Sequence, residues 1–255
     1  MLFHVFWKGN VSDKLSLFIK SFLYTQPLKC SLLYVWIDGV IQDIQLNPYV
    51  LPLFRFIGKN LEFKRWITEE QLIRFTLLHR YGGIYFDVDT ILLRDVSPLY
   101  NLDIEFAYRW SVWKGYNTVI LQLHSNSTVG RLIIEAAMKN KINFHPISSI
   151  RTYLVNKSVE SMTRDDLNKH HYMMPVLLFE PLWLKADLYS KEIQLNPNLY
   201  RIRITFRGAF TYHWHNQWTT ENHPTSWLGI MQSAFDAFLE GRDSNIYEED
   251  LPLSN

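Results

Sequence analysis

The chain changes abruptly from a helical to an extended pattern at two adjacent glycines, Gly82 and Gly83. Apolar residues recur at helical spacing over residues 72–78, whereas residues 84–86 form an uninterrupted apolar run. Glycine ends helices because it adopts a left-handed backbone at little cost, and a short apolar run is typical of a buried strand. This segment therefore predicts a helix that leads directly into a sheet strand, with the two glycines forming the sharp turn between them.

Strands and helices are predicted to alternate along most of the chain. Apolar runs at residues 2–6, 32–37 and 61–66 predict strands, and a helix capped by Ser12 or Asp13 separates the first two. This alternation of strands and helices indicates an α/β fold with a mainly parallel sheet and right-handed crossovers. Further strands are predicted at residues 104–108, 119–123, 176–179, 200–206 and 209–213, and further helices at 127–140 and 226–239.

Length and composition favour one large domain. The chain has 255 residues, of which 47% are hydrophobic, so we predict a single domain over residues 1–240 followed by an acidic tail at 241–255. The net charge of +1 argues against nucleic-acid binding, which requires a basic face. A single cysteine, Cys30, and the lack of a visible leader or membrane span predict a cytoplasmic or cytosol-facing protein.

Two acidic residues, Asp87 and Asp89, stand at the end of the predicted strand that follows the glycines. Alternation on a strand points both side chains to one side, with Val88 facing away. Two carboxylates held together repel each other unless a cation lies between them, and oxygen ligands suit Mg²⁺ or Mn²⁺. Ligands of open α/β sheets bind at the carboxyl ends of the strands. The pair therefore predicts a site for a metal ion and a diphosphate.

Residues 74–89, which contain this pair, resemble the DXD region of retaining GT-A glycosyltransferases. The most similar group holds the α-1,4-galactosyl- and α-1,4-N-acetylglucosaminyltransferases, the yeast initiating mannosyltransferases and the clostridial glucosylating toxins. The matching positions are Arg74, Tyr81, Gly82, Gly83, Asp87 and Asp89. Residues 4–9 and 211–218 are similar to two further patches of the group. The resemblance implies a single-domain GT-A fold, which is a Rossmann-like mixed, mainly parallel sheet flanked by helices.

The resemblance also implies a metal centre. Asp87 and Asp89 would bind Mn²⁺ or Mg²⁺, and His213 fits the position of a third ligand, with His215 as the second candidate. A bound divalent ion acts as a Lewis acid on the diphosphate leaving group of a nucleotide-sugar donor. The alternative for the two histidines is an ordinary half-exposed position on an edge strand.

The remaining site residues would bind the donor. Trp7 would stack on the nucleobase, and Arg74 would contact the donor sugar or phosphate, because a planar permanent cation suits either. Trp218 would close over the diphosphate, and Asn117 would contact donor or acceptor sugar. Each also has a structural explanation: a core aromatic, a helical surface arginine, a packing tryptophan and a turn asparagine.

The reaction implied by the resemblance is metal-dependent retaining transfer from a nucleotide-diphosphate sugar to a glycan, lipid or protein hydroxyl. A UDP-sugar is favoured and GDP-mannose is the other option. The group has an acid where this chain has Gln71, so the donor sugar stays open. A lumenal Golgi location follows if an N-terminal anchor has been removed. The alternatives are a catalytically decayed sugar-nucleotide-binding module and, less favoured, a glycoside hydrolase, whose two carboxylates must flank the bond from opposite sides.

Overall fold

A seven-stranded mixed sheet forms the centre of the structure. The computed structural model describes residues 1–38, 44, 46–66, 72–109, 116–139, 171–181, 208–215 and 223–249. The neighbouring strands of the sheet are, in order, β3 (Leu61–Arg65), β2 (Leu32–Ile37), β1 (Leu2–Trp7), β4 (Gly83–Phe86), β7 (Tyr116–Leu123), β6 (Phe106–Arg109) and β8 (Tyr172–Met174). A separate antiparallel pair joins β5 (Thr90–Leu92) to β9 (Thr211–His213).

Five α-helices accompany the strands in the described part of the chain. They are α1 (Asp13–Thr25), α2 (Ile73–Tyr81), the short α3 (Ser97–Tyr100), α4 (Thr128–Lys139) and α5 (Trp227–Leu239). None of the helices among the described residues is long and apolar enough to cross a membrane.

The direction of the strands confirms the predicted mixed, mainly parallel sheet. Strand β1 is parallel to both β2 and β4, β2 is parallel to β3, and β6 is parallel to β8. Strand β7 is antiparallel to both of its neighbours, β4 and β6. Because of this reversal, the first residues of β7 lie at the same edge of the sheet as the last residues of β1 and β4.

Apolar side chains cover both faces of the sheet. On β4, Ile84 and Phe86 belong to the cluster that includes α1, whereas Tyr85 belongs to the cluster that includes α2 and α4. This division follows from the alternation of side chains along a strand. Burial on two faces explains why residues 84–86 form a continuous apolar run.

The corner between α2 and β4 requires glycine at both of its positions. Gly82 caps α2 with φ 68°, and its N–H donates to the carbonyl of Leu78 at 2.7 Å. Gly83 has φ 98°, and a Cβ there would lie 2.4 Å from the carbonyl oxygen of Leu2. The predicted structural role of the two glycines is therefore confirmed.

Two sequence-based expectations about elements differ from the structure or lie outside it. The run at 176–179 is a 3₁₀ helix over Val176–Leu178 and not a strand. Its turn begins at Pro175, whose carbonyl accepts from the N–H of Leu178 at 3.2 Å, and proline has no N–H for a sheet ladder. The predicted strand at 200–206 lies outside the described residues.

Residues 245–249 of the predicted acidic tail contact α1 and the loop that follows it. The N–H of Ile246 donates to the carbonyl of Tyr24 at 3.1 Å. The carboxylate of Glu249 accepts from the N–H of Leu28 at 2.7 Å and from the side chain of Asn245 at 3.0 Å. These contacts attach residues 245–249 to the body of the protein, and the division of the chain at residue 240 stays a prediction.

His4, which belongs to the N-terminal patch of the sequence resemblance, is a core residue. It is fully buried in β1, its Nδ1 accepts from the indole N–H of Trp36 at 3.1 Å, and its Nε2 lies 2.9 Å from the carbonyl of Gly82. Because Nδ1 accepts the hydrogen bond from the indole, it carries no proton. The ring proton is therefore on Nε2, which donates a hydrogen bond to the carbonyl of Gly82. Burial lowers the pKa of His4 to about 4, although the bond to Gly82 opposes this shift.

We expect His4 to make the protein sensitive to acid. Between pH 6.5 and 4 the unfolded chain binds a proton at this residue and the folded chain does not, so stability falls as the pH falls. The loss over this window is roughly 3 kcal/mol. His4→Gln keeps a donor for Gly82, and it should reduce the slope of unfolding free energy against pH by up to about 1.4 kcal/mol per unit. Urea unfolding from pH 4 to 7.5 measures this, and equal slopes in both proteins would contradict the assignment.

Candidate functional site

A cavity of about 770 Å³ opens where β1 and β4 end and β7 begins. This is the carboxyl edge of two neighbouring parallel strands, where α/β proteins bind ligands, and the volume suits a ligand of nucleotide size. Five residues that the sequence singled out contribute to its lining: Trp7, Arg74, Asp87, Asp89 and His213. The other charged residues of the lining are Lys8, Asp13 and Lys14.

Asp87 and Asp89 lie on a tight turn and not on the strand itself. Strand β4 ends at Phe86, and both the N–H and the hydroxyl of Thr90 donate to the carbonyl of Asp87, at 3.1 and 2.7 Å. The turn, rather than strand alternation, brings both carboxylates to the cavity, which corrects the sequence-based geometry. Val88, between them, is buried in the core cluster and also contributes to the cavity lining.

Arg74 holds the first of the two carboxylates. Its Nη2 lies 3.1 Å from Oδ1 of Asp87, and its Nη1 donates to both the carbonyl and the hydroxyl of Thr118, each at 2.9 Å. The guanidinium also lies over the ring of Tyr85, 5.2 Å from the ring centroid. Burial raises the pKa of Asp87, and Asp89 adds to this shift while Arg74 opposes it. A further cation beside the two carboxylates would therefore stabilise their ionised forms.

His213 lies between two buried carboxylates. Register in the small sheet sets His213 opposite Thr90, which follows Asp89. The Nε2 atom of His213 is 2.9 Å from Oδ2 of Asp89, and its Nδ1 atom is 2.9 Å from Oε1 of Glu180. Burial disfavours the imidazolium, but these two bonds outweigh it and raise the pKa of His213 to about 10.

Glu180 is a member of this site that sequence reasoning missed. Its side chain is 1% exposed, and it contacts His213, His215 and the hydroxyl of Tyr108. Burial alone would raise its pKa, but the bonds to the two histidines lower it to about 2. The available signal was a charged residue inside the apolar run 176–181, since buried acids are rare unless they are paired.

Lys14 was also missed. It lies in the first turn of α1, where a cation opposes the helix dipole, yet its side chain is only 4% exposed and lines the cavity. Its Nζ is 3.3 Å from Oδ2 of Asp13 and 5.6 Å from the centroid of the Trp214 ring. A lysine in the first turn of a helix, two residues after the cap Ser12, is the pattern that would have indicated it.

Of the other residues that the sequence predicted for the site, some line the cavity, some do not, and some lie outside the described residues. Trp7 ends β1 at the cavity and donates its indole N–H to the carbonyl of Asn10 at 3.0 Å. Asn117 is buried in β7, where its side chain accepts from the N–H of Val119 at 3.0 Å, and it does not belong to the cavity lining. His215 lies behind His213, and their rings stack with centroids 3.9 Å apart. Trp218 and Gln71 lie outside the described residues.

Asp89 of the turn and His213 of β9 bring two possible metal ligands together. Ligands about 2.1 Å from an octahedral Mg²⁺ or Mn²⁺ lie roughly 3 Å from one another. The distance of 2.9 Å between Oδ2 of Asp89 and Nε2 of His213 matches that spacing. Carboxylate and imidazole groups are ligands that divalent ions such as Mn²⁺ accept, and both residues line the cavity.

Comparisons with known proteins place the DXD segment and the fold among glycosyltransferases. Residues 34–105 match the family described as the glycosyltransferase sugar-binding region containing a DXD motif. No curated protein sequence gives a significant match to the chain. The structure has the fold of GT-A glycosyltransferases, as comparison with solved structures shows.

Two solved glycosyltransferases illustrate the similarity of fold. The apo form of GlyE from Streptococcus pneumoniae TIGR4 superposes with a TM-score of 0.56 at 13% identity, over 92% of this chain and 59% of that one. The chain therefore spans less than two thirds of GlyE. The galactosyltransferase LgtC, solved in complex with donor and acceptor sugar analogues, gives a TM-score of 0.50 at 12% identity, over 92% of this chain and 95% of that one.

Proposed function

We propose that this protein is a metal-dependent retaining glycosyltransferase. It moves a sugar from a nucleotide-diphosphate sugar to a hydroxyl group of a glycan, lipid or protein, with a UDP-sugar as the favoured donor and GDP-mannose as the other option. The observation that carries the proposal is the meeting of Arg74, Asp87 and Asp89 with His213, which is distant in sequence, at one cavity.

Asp87, Asp89 and His213 would hold the metal ion. The ion, Mn²⁺ or Mg²⁺, would neutralise the charge that develops on the departing diphosphate. Asp89 and His213 are both almost completely buried, so they offer fixed ligand atoms at the inner end of the cavity. Asp87 is a quarter exposed and is oriented by Arg74, which leaves it in contact with the open part of the site.

In this proposal, cationic side chains of the cavity lining contact the phosphates of the donor. Lys8 and Lys14 line the side formed by β1 and α1, and Arg74 lines the side formed by α2. Trp7 stands at the end of β1 and lines the cavity, where its ring would stack on the nucleobase. Positive groups on both sides of a carboxylate pair suit a ligand that carries a diphosphate together with a divalent ion.

Retention would follow from front-face attack, and no residue is assigned as a covalent nucleophile. The two carboxylates of the DXD turn are engaged with Arg74 and His213, which favours a role in binding over attack on the sugar. The departing diphosphate would accept the proton of the acceptor hydroxyl. The bond from the sugar to the diphosphate breaks as the bond to the acceptor oxygen forms on the same face.

A thermal-shift screen tests this proposal. We expect UDP or GDP and their sugar conjugates to raise the melting temperature in the presence of Mn²⁺ and to have little effect with a chelator. A ligand at 100 times its Kd adds about 2.7 kcal/mol, which corresponds to roughly 5–10 °C for a domain of this size. A chelator-insensitive shift would contradict the metal site.

Transfer of radiolabelled sugar from the donor identified in the screen then tests catalysis. Tight binding with neither donor hydrolysis nor transfer would support the alternative of a decayed binding module. Cleavage of glycosides that needs no metal would support a glycoside hydrolase. The anomeric configuration of the product, read by nuclear magnetic resonance, tests retention.

A further inference from the structure

We propose that Glu180 is a positioning residue that fixes the His213 imidazole with its Nε2 atom toward Asp89 and the cavity. The inference deepens the proposed function, because it rests on a metal site formed by Asp87, Asp89 and His213. It assigns a role to a buried carboxylate that is not itself part of the cavity lining.

Glu180 is held in place from several directions. The N–H of Glu180 donates to the carbonyl of Val176 at 2.7 Å, and the hydroxyl of Thr211 donates to the carbonyl of Phe179 at 2.6 Å. The second of these bonds ties the segment to β9, the strand that carries His213. The Oε2 atom of Glu180 accepts from the hydroxyl of Tyr108 at 3.2 Å, which leaves Oε1 for His213 and His215.

The bond from His213 Nδ1 to Glu180 Oε1 determines which ring nitrogen can bind a metal ion. A neutral imidazole has one N–H and one bare nitrogen. When Nδ1–H donates to Glu180 at 2.9 Å, Nε2 is the nitrogen that faces Asp89, 2.9 Å away, and a metal ion bound there would replace the proton that Nε2 otherwise donates to Asp89. Histidine ligands in metal sites commonly donate their other ring N–H to a carboxylate, which fixes both tautomer and orientation.

The same residues permit a competing arrangement. One ligand atom each from Glu180, His213 and His215 lies within 4.8 Å of the others, so this cluster could itself hold an ion. Such an ion would use Nδ1 of His213, and Nε2 would then carry a proton toward Asp89. Neither Glu180 nor His215 lines the cavity, so an ion held there would not meet a diphosphate bound in it. The geometry therefore favours the ion on the Asp89 side and Glu180 as its support.

Direct measurement of Mn²⁺ binding separates the two arrangements. Titration of free Mn²⁺ by electron paramagnetic resonance gives its Kd, and electron spin echo modulation from ¹⁴N reports imidazole coordination. We expect Glu180→Gln to weaken Mn²⁺ binding by about 10- to 100-fold. At saturating Mn²⁺ the ¹⁴N modulation should persist in Glu180→Gln and in His215→Gln, and it should disappear in His213→Gln.

Glu105→Gln is the matched control. Glu105 is another buried glutamate beside a histidine, with Oε1 accepting from the N–H of His124 at 3.0 Å, and it does not line the cavity. Its substitution should leave the Kd for Mn²⁺ within twofold. If Glu180→Gln does not fold, Tyr108→Phe removes the hydroxyl that bonds Oε2 of Glu180 without changing volume much, and it should weaken Mn²⁺ binding a few-fold.

The outcomes distinguish this inference from the proposed function. If Asp89→Asn abolishes Mn²⁺ binding but Glu180→Gln matches Glu105→Gln, Glu180 has no positioning role and the proposed metal site stands. If His215→Gln greatly weakens Mn²⁺ binding and Asp89→Asn does not affect it, the ion belongs to the competing cluster, and both proposals fail. Loss of binding in Asp89→Asn together with the graded loss in Glu180→Gln supports both.

Discussion

Replacing Asp89 by Asn should lower kcat/KM for Mn²⁺-supported sugar transfer by at least about a thousandfold. Asp89 is 4% exposed, and its carboxylate reaches both the cavity and Nε2 of His213, so no neighbouring water can easily replace it. The change keeps the size of the side chain and removes the charge. A thousandfold loss corresponds to about 4 kcal/mol, which is within the several kcal/mol that a bound metal ion contributes to a charged transition state.

Asp103→Asn is the control for this substitution. The side chain of Asp103 is 92% exposed and does not line the cavity, and Asn tolerates its φ of 52°. The control should retain transfer activity close to that of the wild type. Mn²⁺ titration of Asp89→Asn should show the loss of binding directly, and circular dichroism should show that the fold persists. Activity within tenfold of wild type would remove Asp89 from the proposed metal site.

The parts of the site that were predictable from sequence are formed by residues that lie close together along the chain. Gly82, Gly83 and the DXD turn follow one another within a few residues, so a local pattern contains the whole corner. Their position at the carboxyl end of β4 then follows from the direction of a parallel strand. The turn geometry at Asp87 was not predicted, because a strand and a tight turn both present alternate side chains to one side.

The parts that were not predictable depend on pairing between distant segments. His213 reaches Asp89 because β9 pairs with β5, and the sequence pattern contains no information on that register. Glu180 reaches His213 because Pro175 begins a 3₁₀ turn where an apolar run predicted a strand. The antiparallel direction of β7, which delivers Thr118 to Arg74, is likewise a property of the assembled sheet.

A substitution at the glycine corner should have the largest effect on stability. We expect Gly83→Ala to lower the free energy of unfolding by more than about 4 kcal/mol, a value reached only when a specific structural feature is lost. The φ of 98° is unfavourable for a residue with a Cβ, and that atom would also lie 2.4 Å from the carbonyl oxygen of Leu2. Relief of the overlap requires β1 and β4 to separate, and they pair from Phe3 and Ile84 onward.

Gly58→Ala separates these two causes. Gly58 has φ 80°, but a Cβ there would meet nothing within 4 Å, so its substitution costs only the backbone strain of about 1–2 kcal/mol. Urea unfolding of both variants measures the difference, which we assign to the contact with Leu2. Equal losses in the two proteins would show that the sheet adjusts freely at this point. A large difference would mean that β4 is held rigidly against β1 at Gly83. The position of the turn that carries Asp87 and Asp89 would then depend on this glycine.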